Sequence, residues 1–188
     1  MLRPLVLAAS VVVVVSGCTA PVDGPRAGAG DSSGEATAPA AAPQQFTIVP
    51  DDYHVPYAGT AGDGRKFFLS DELFSSEPGK QSTGYVGLFL WNADGSFSGL
   101  RVDPVQRADG VPPGQAVSAG ADQLLHERLA ELGHCKLESI TVQPFTRKVD
   151  GVTFGWSVTE YEGTFSINIE PGDFIAYYEP WDGLDYDT

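Results

Sequence analysis

Four carboxylates crowd the end of the chain: Glu179, Asp182, Asp185 and Asp187 fall within its last ten residues, just ahead of the terminal carboxylate. Oxygens at that density are the chemistry that holds a hard cation such as Ca²⁺, which takes about six to eight of them. Asp182, Asp185 and Asp187 are the candidate ligands, although their spacing is not that of an EF-hand loop. Asn92-Ala93-Asp94-Gly95 imitates part of such a loop, but the positions for its first ligand and final glutamate fall on Leu90 and Arg101. Like charges at an exposed end repel and stay solvated, and a solvated tail is the preferred reading. Aromatic rings are interleaved with these acids. Trp181 and Tyr186, where exposed, offer faces on which a sugar stacks or a partner protein docks.

The other chemistry-bearing residues are fewer. His54, in Asp51-Asp52-Tyr53-His54, stands beside acids and an aromatic ring and is a candidate general base, with no evident nucleophile nearby. His134-Cys135 suggests a thiolate and its base, but adjacent residues of an extended chain point to opposite faces. A buried, inert cysteine at the start of a strand is the expectation. His126 falls beside Glu127 on the polar side of a helix. Glu160 and Glu162 alternate on one strand face as a glycosidase pair would, yet two exposed acids at a strand end is the simpler reading. The chain holds no G-x-S-x-G elbow, no S-x-x-K, no H-E-x-x-H and no phosphate-cradling glycine loop.

Strands must position most of these groups. Phe46 to Pro50 and Tyr53 to Tyr57 read as short extended pieces, and Gly62-Asp63-Gly64 as a turn before a strand that sends Phe67 and Phe68 to opposite faces. Tyr85 to Trp91 alternates Val86, Leu88 and Leu90 with Phe89 and Trp91, so both of its faces are covered. Asp94-Gly95 closes a hairpin onto Ser96 to Val102, and the proline-rich stretch from Asp103 to Gly114 reads as a loop. A helix is predicted over Ser118 to Leu132, with Leu125, Leu129 and Leu132 on one face and Gly133 as its C′ residue. Lys136 to Lys148 and Val152 to Tyr161 form a hairpin about Asp150-Gly151, and a last pair, Thr164 to Ile169 and Phe174 to Tyr178, follows. The expected fold is α+β, a mainly antiparallel curved sheet built from hairpins with the helix packed on a face.

The first residues carry a different kind of signal. Arg3 precedes an uncharged apolar run from Leu5 to Val15, then come Ser16, Gly17 and Cys18. This resembles the signal peptide and lipobox of bacterial lipoproteins, and Val15-Ser16-Gly17-Cys18 carries the resemblance. The resemblance implies cleavage after Gly17, a thioether-linked lipid on Cys18, and a mature protein anchored to the extracytoplasmic face of the cell membrane. The apolar run is shorter than the roughly 20 residues that cross a bilayer. Residues 1–17 are then the signal peptide and 18–45 the lipidated cysteine and a tether, which has no aromatic, Leu or Ile and cannot bury a core. As a flexible coil the tether spans on the order of 30 Å. Residues 46–188 are a single domain holding all 20 aromatic residues.

Composition narrows the function. Removing residues 1–17 takes away Arg3 and no acid, so the formal charge moves from −14 to −15. Nucleic acid is not an expected partner for so acidic a chain, and the membrane contact falls to the lipid. Cys135 alone follows Cys18, so stability comes from the core without disulfides. Seven arginines against four lysines, with abundant Ala, Gly and Val, suit a GC-rich bacterial genome. The reading is a non-catalytic domain that binds an envelope protein, a wall polymer or a small ligand, with an extracytoplasmic hydrolase as the alternative. Ca²⁺ is the one cofactor either reading admits.

Overall fold

A computed structural model describes residues 41–76, 82–106, 119–184 and 186–187. Five antiparallel strands build the first sheet: β2 (Tyr57–Ala61), β3 (Lys66–Ser75), β4 (Thr83–Trp91), β5 (Phe97–Gln106) and β6 (Cys135–Leu137), in the order β5-β4-β3-β2-β6. The β4–β5 hairpin turns at Asn92–Gly95 as its Asp-Gly pair predicts, with Asn92 N–H donating to Ser96 C=O at 2.8 Å. The single helix among the described residues, α1 (Ala119–Glu131), lies on one face of this sheet, over β3, β4 and β5. Its buried stripe is Ala121, Leu125, Arg128 and Leu132, and Gly133 ends it in the left-handed conformation expected of a C′ residue. Arg128 is the member that apolar periodicity overlooks. Its Nε donates to Asp103 at 2.7 Å and its Nη1 to Glu131 at 2.6 Å, tying the helix to β5.

The second sheet has the order β12-β11-β10-β9-β8, from β8 (Thr146–Val149), β9 (Val152–Tyr161), β10 (Thr164–Glu170), β11 (Ala176–Tyr177) and β12 (Tyr186–Asp187). A two-stranded ribbon pairs β1 (Phe46–Ile48) with β7 (Ile140–Val142). One apolar cluster joins all three: Phe68, Phe89 and Trp91 of the first sheet, Phe154, Trp156 and Ile167 of the second, and Phe46 and Ile140 of the ribbon. A separate cluster lies under the helix and takes Phe67, Leu69, Val86 and Leu88. Phe67 and Phe68 therefore do face opposite ways, and β4 is covered on both sides.

The α+β class, the antiparallel pairing and the helix on a sheet face are as the sequence predicts; the details differ in five places. The strand expected over Lys136 to Lys148 is three strands in three different sheets, because Glu138-Ser139 and Pro144 interrupt it and each piece finds a separate partner. The sheet is accordingly divided rather than one curved surface. Strand β5 runs on through Pro104 to Gln106, which an edge strand tolerates because the missing N–H faces no neighbour. Residues 51–55 form a turn that takes in Tyr53 to Val55 of the expected extended piece, since the Asp51 carboxylate accepts the N–H groups of Tyr53 and Val55. Pro43, placed in the tether by composition, is buried. Ser118, where the predicted helix begins, lies outside the described residues.

Candidate functional site

The β8–β9 hairpin opens onto a cavity. From its turn at Asp150-Gly151 the two strands pair as far as Thr146 opposite Gly155, and one last bond runs from Trp156 N–H to Phe145 C=O at 2.7 Å. Gly155 has φ 134°, and a Cβ there would sit 2.0 Å from the Phe145 carbonyl oxygen, so only glycine admits this close approach. Pro144 then carries the chain away toward β7 while β9 continues. The two diverge around a cleft of about 440 Å³, closed on a third side by Ala42, Pro43 and Gln44. That volume is within the range of small-ligand sites.

Its lining is uncharged. Pro144, Phe145, Trp156 and Val158 supply apolar surface, and Gln44, Gln143, Thr146 and Ser157 supply amides and hydroxyls. Trp156 is 1% exposed and wedged by Phe46, Phe68 and Tyr177 at centroid distances of 5.2, 5.4 and 5.5 Å. Its indole N–H is buried with no hydrogen-bond partner among the described residues. A buried donor left unpaired is costly, and such groups normally find an acceptor, water included. Ser157 Oγ donates weakly to Glu170 at 3.3 Å. Burial pushes the Glu170 carboxyl above its usual range against that bond, and Asp173 adds to the rise.

A second polar centre lies elsewhere. His54 is 4% exposed, its Nδ1 lies 2.5 Å from Glu72 Oε2, and its ring packs on Tyr53 and Phe174. Glu72 belongs to an irregularity in β3 between Ser70 and Leu73, where the pairing with β4 shifts. Burial raises the Glu72 carboxyl above its usual range, the His54 hydrogen bond opposing it. Asp71 beside it is raised by burial as well. A carboxylate that orients an imidazole is half of a catalytic triad. The buried Ser70 hydroxyl, the nearest in sequence, already accepts the Glu72 N–H at 3.1 Å. The pair ties the 51–55 turn to the irregular part of β3.

The predicted site residues are scattered. Glu179 and Asp182 are exposed, and Asp182 Oδ1 accepts the Leu184 N–H at 3.1 Å. Asp185 lies outside the described residues, while Tyr186 and Asp187 pair through their backbones with Tyr177 and Ala176. No group of three His, Cys, Asp or Glu able to hold a metal ion occurs among the described residues. Trp181 is half-buried against the central core, and its carbonyl accepts the Thr47 N–H. Of the neighbouring tyrosines, Tyr177 is buried and Tyr178 exposed. Cys135 corrects the expectation of burial: it is exposed, because β6 sits at the sheet's edge with all three residues in water. His126 and His134 are exposed too. Glu160 and Glu162 do not share a strand, since β9 ends at Tyr161 and Glu162 is in the turn with φ 49°. Cys18 lies outside the described residues.

Sequence reasoning missed the cleft because its walls come from three segments, two of them read as a tether and a strand. Pro144 was the available signal: a proline inside an apparent strand marks where the ladder ends. For the His54 partner the signal was Asp71-Glu72 interrupting an apolar strand. The chain matches no protein-family profile, no curated protein and no solved structure.

Proposed function

We propose that this chain is a lipid-anchored protein of the extracytoplasmic membrane face whose folded part is a non-catalytic binding domain, with the cleft beside β9 as its site. The uncharged lining of the cleft carries the reading: it offers apolar contact, amides and hydroxyls, and no charged side chain lines it. Such a lining suits an uncharged part of an envelope protein, a wall polymer or a small molecule, and the formal charge of −14 speaks against nucleic acid. The lipobox resemblance at Val15–Cys18 supports the anchor.

Val158 is 38% exposed at the rim, so Val158→Arg blocks the cleft from a position where the fold does not need Val. Purified protein carrying Cys18→Ala, and so free of the proposed lipid, should bind isolated cell envelopes, and adding Val158→Arg should remove most of that binding at an unchanged melting temperature; equal retention sinks the cleft as the site. For the anchor, Cys18→Ala should abolish acylation and release the protein from membranes. Acylated mutant protein in the membrane fraction would refute it.

The His54–Glu72 pair favours a second reading, a hydrolase acting through carboxylates. Loss of a measured hydrolysis in Glu72→Gln, with folding retained, would establish it. Ca²⁺ at Asp182, Asp185 and Asp187 is tested by the thermal midpoint with Ca²⁺ and with chelator: a saturated site adds about 2.7 kcal/mol at 100 times its dissociation constant. A shift that survives changing all three to Asn excludes them as ligands.

A further inference from the structure

Strand β9 is only half paired on the side of β8. Against β10 it is paired from Gly155, opposite Glu170, to Tyr161, opposite Thr164. In an antiparallel ladder, successive residues send their N–H and C=O alternately to the two sides. The Trp156 N–H goes to Phe145, on the β8 side, so two and four residues further on the N–H and C=O groups of Val158 and Glu160 point the same way. Chain divergence at Pro144 leaves them without a strand among the described residues. The segment Val158 to Tyr161 is exposed throughout. It also lacks the proline or bulge by which sheet edges block pairing.

We infer that this edge accepts an extended polypeptide segment of a partner protein, which takes up the line of β8 antiparallel to β9. Its backbone pairs with Val158 and Glu160, and it lowers one uncharged side chain into the cleft against Trp156. The inference rests on the cleft being the binding site. Pairing supplies main-chain hydrogen bonds, and the cleft supplies selectivity for the side chain it admits. A charged side chain is excluded there, because the uncharged lining offers no counter-ion against its desolvation. Antiparallel to β9, the incoming strand passes the hairpin tip first, where Glu160 and Glu162 are exposed, and reaches the cleft afterwards. A partner segment with Lys or Arg ahead of an uncharged residue therefore fits both ends. A second copy of this chain fits less well, since two chains of formal charge −14 repel.

The test uses the full chain in detergent and a positional-scanning library of hexapeptides in which each position is varied through charged and uncharged residues. Binding is expected from members with Lys or Arg ahead of an uncharged residue. N-methylating the peptide amides that face β9 should weaken it about tenfold or more, the scale of one to two lost hydrogen bonds. Methylating the outward amides should not. Val158→Pro removes an N–H that β10 does not use and should weaken binding comparably, with the circular dichroism spectrum retained. Should that variant fail to fold, the methylated peptides decide alone. Binding indifferent to methylation overturns strand addition. No binding by any hexapeptide, while Val158→Arg still abolishes envelope binding, overturns it and leaves the cleft as a site for another ligand. Concentration-dependent self-association removed by Val158→Pro assigns the edge to a second copy and overturns it too. If Val158→Arg leaves envelope binding intact, the fault is in the cleft reading itself.

Discussion

In the sheet β5-β4-β3-β2-β6 the central strands are covered on both faces, Phe67, Leu69 and Val86 by α1 and Phe68, Phe89 and Trp91 by the second sheet and the ribbon. In the sheet β12-β11-β10-β9-β8 the inward face of β9 is buried at Phe154 and Trp156, yet the same face emerges into water at Val158. Two sheets of equal strand number thus divide the work. The sheet with a helix on one side and a sheet on the other holds the fold together, and the one that outruns the core has backbone and side chains left for a partner. Breaking the first should be read in stability, and altering the free end of the second in binding.

The largest expected effect is at the join. Phe68 is fully buried and packs on Phe89 at 5.6 Å and on Trp156 at 5.4 Å, so it belongs to both sheets. Phe68→Ala should cost about 3–5 kcal/mol through lost transfer energy and the cavity left behind. Chemical denaturation measures it. A cost below about 1 kcal/mol would mean that the two sheets do not share a core.

Next come two substitutions that separate the sheets. Val86→Thr keeps shape but buries a hydroxyl under α1, at a position with no exposure, and should cost about 1–3 kcal/mol. Gly155→Ala forces a side chain into the left-handed region against the Phe145 carbonyl and should also cost about 1–3 kcal/mol. Its damage should be local. Amide exchange should accelerate at Trp156 and along β8 while the helix-backed sheet keeps its protection, and uniform loss would refute the independence of the hairpin.

Asp71, in the irregular part of β3, gives a smaller effect whose sign depends on pH. Burial, with repulsion from Asp122 of α1, holds its carboxyl above the usual value of 3.8. Between the ordinary and the raised pKa the folded state holds more protons than the unfolded one, so stability falls as pH rises through the folded pKa. Asp71→Asn should therefore raise the melting temperature at neutral pH, and the gain should vanish by about pH 3, where both states are protonated. A gain that persists at low pH would trace to packing instead.

These regions were not equally legible in the sequence. Alternation found β4 and the opposed Phe67 and Phe68, because both faces are apolar and local pattern equals tertiary role there. Asp-Gly pairs found the turns after β4 and β8, because left-handed backbone restricts the residue choice. The helix was legible, but its Arg128 was not, since a buried cation is recognisable only once Asp103 and Glu131 have come round to meet it. His54 stood out by its neighbours, while Glu72, the residue it bonds, is 18 positions away. The cleft was the least legible. Pro43, Pro144 and Val158 converge through chain routing between sheets, which no local period encodes.

The smallest effect sharpens the comparison most. Val158→Thr is the same chemical change as Val86→Thr, moved to the exposed end of β9, where the added hydroxyl reaches water and the shape is kept. Its stability cost should lie within about 0.5 kcal/mol of zero. At Val86 the hydroxyl has no such outlet, because the helix closes that face. The difference between the two substitutions measures the cover that α1 provides. In binding the order should reverse: Val86→Thr leaves the cleft lining untouched, whereas Val158→Thr replaces an apolar wall of it. Equal stability costs at the two positions would show that the end of β9 is buried in solution, and with that the free edge and its role in binding would both be lost.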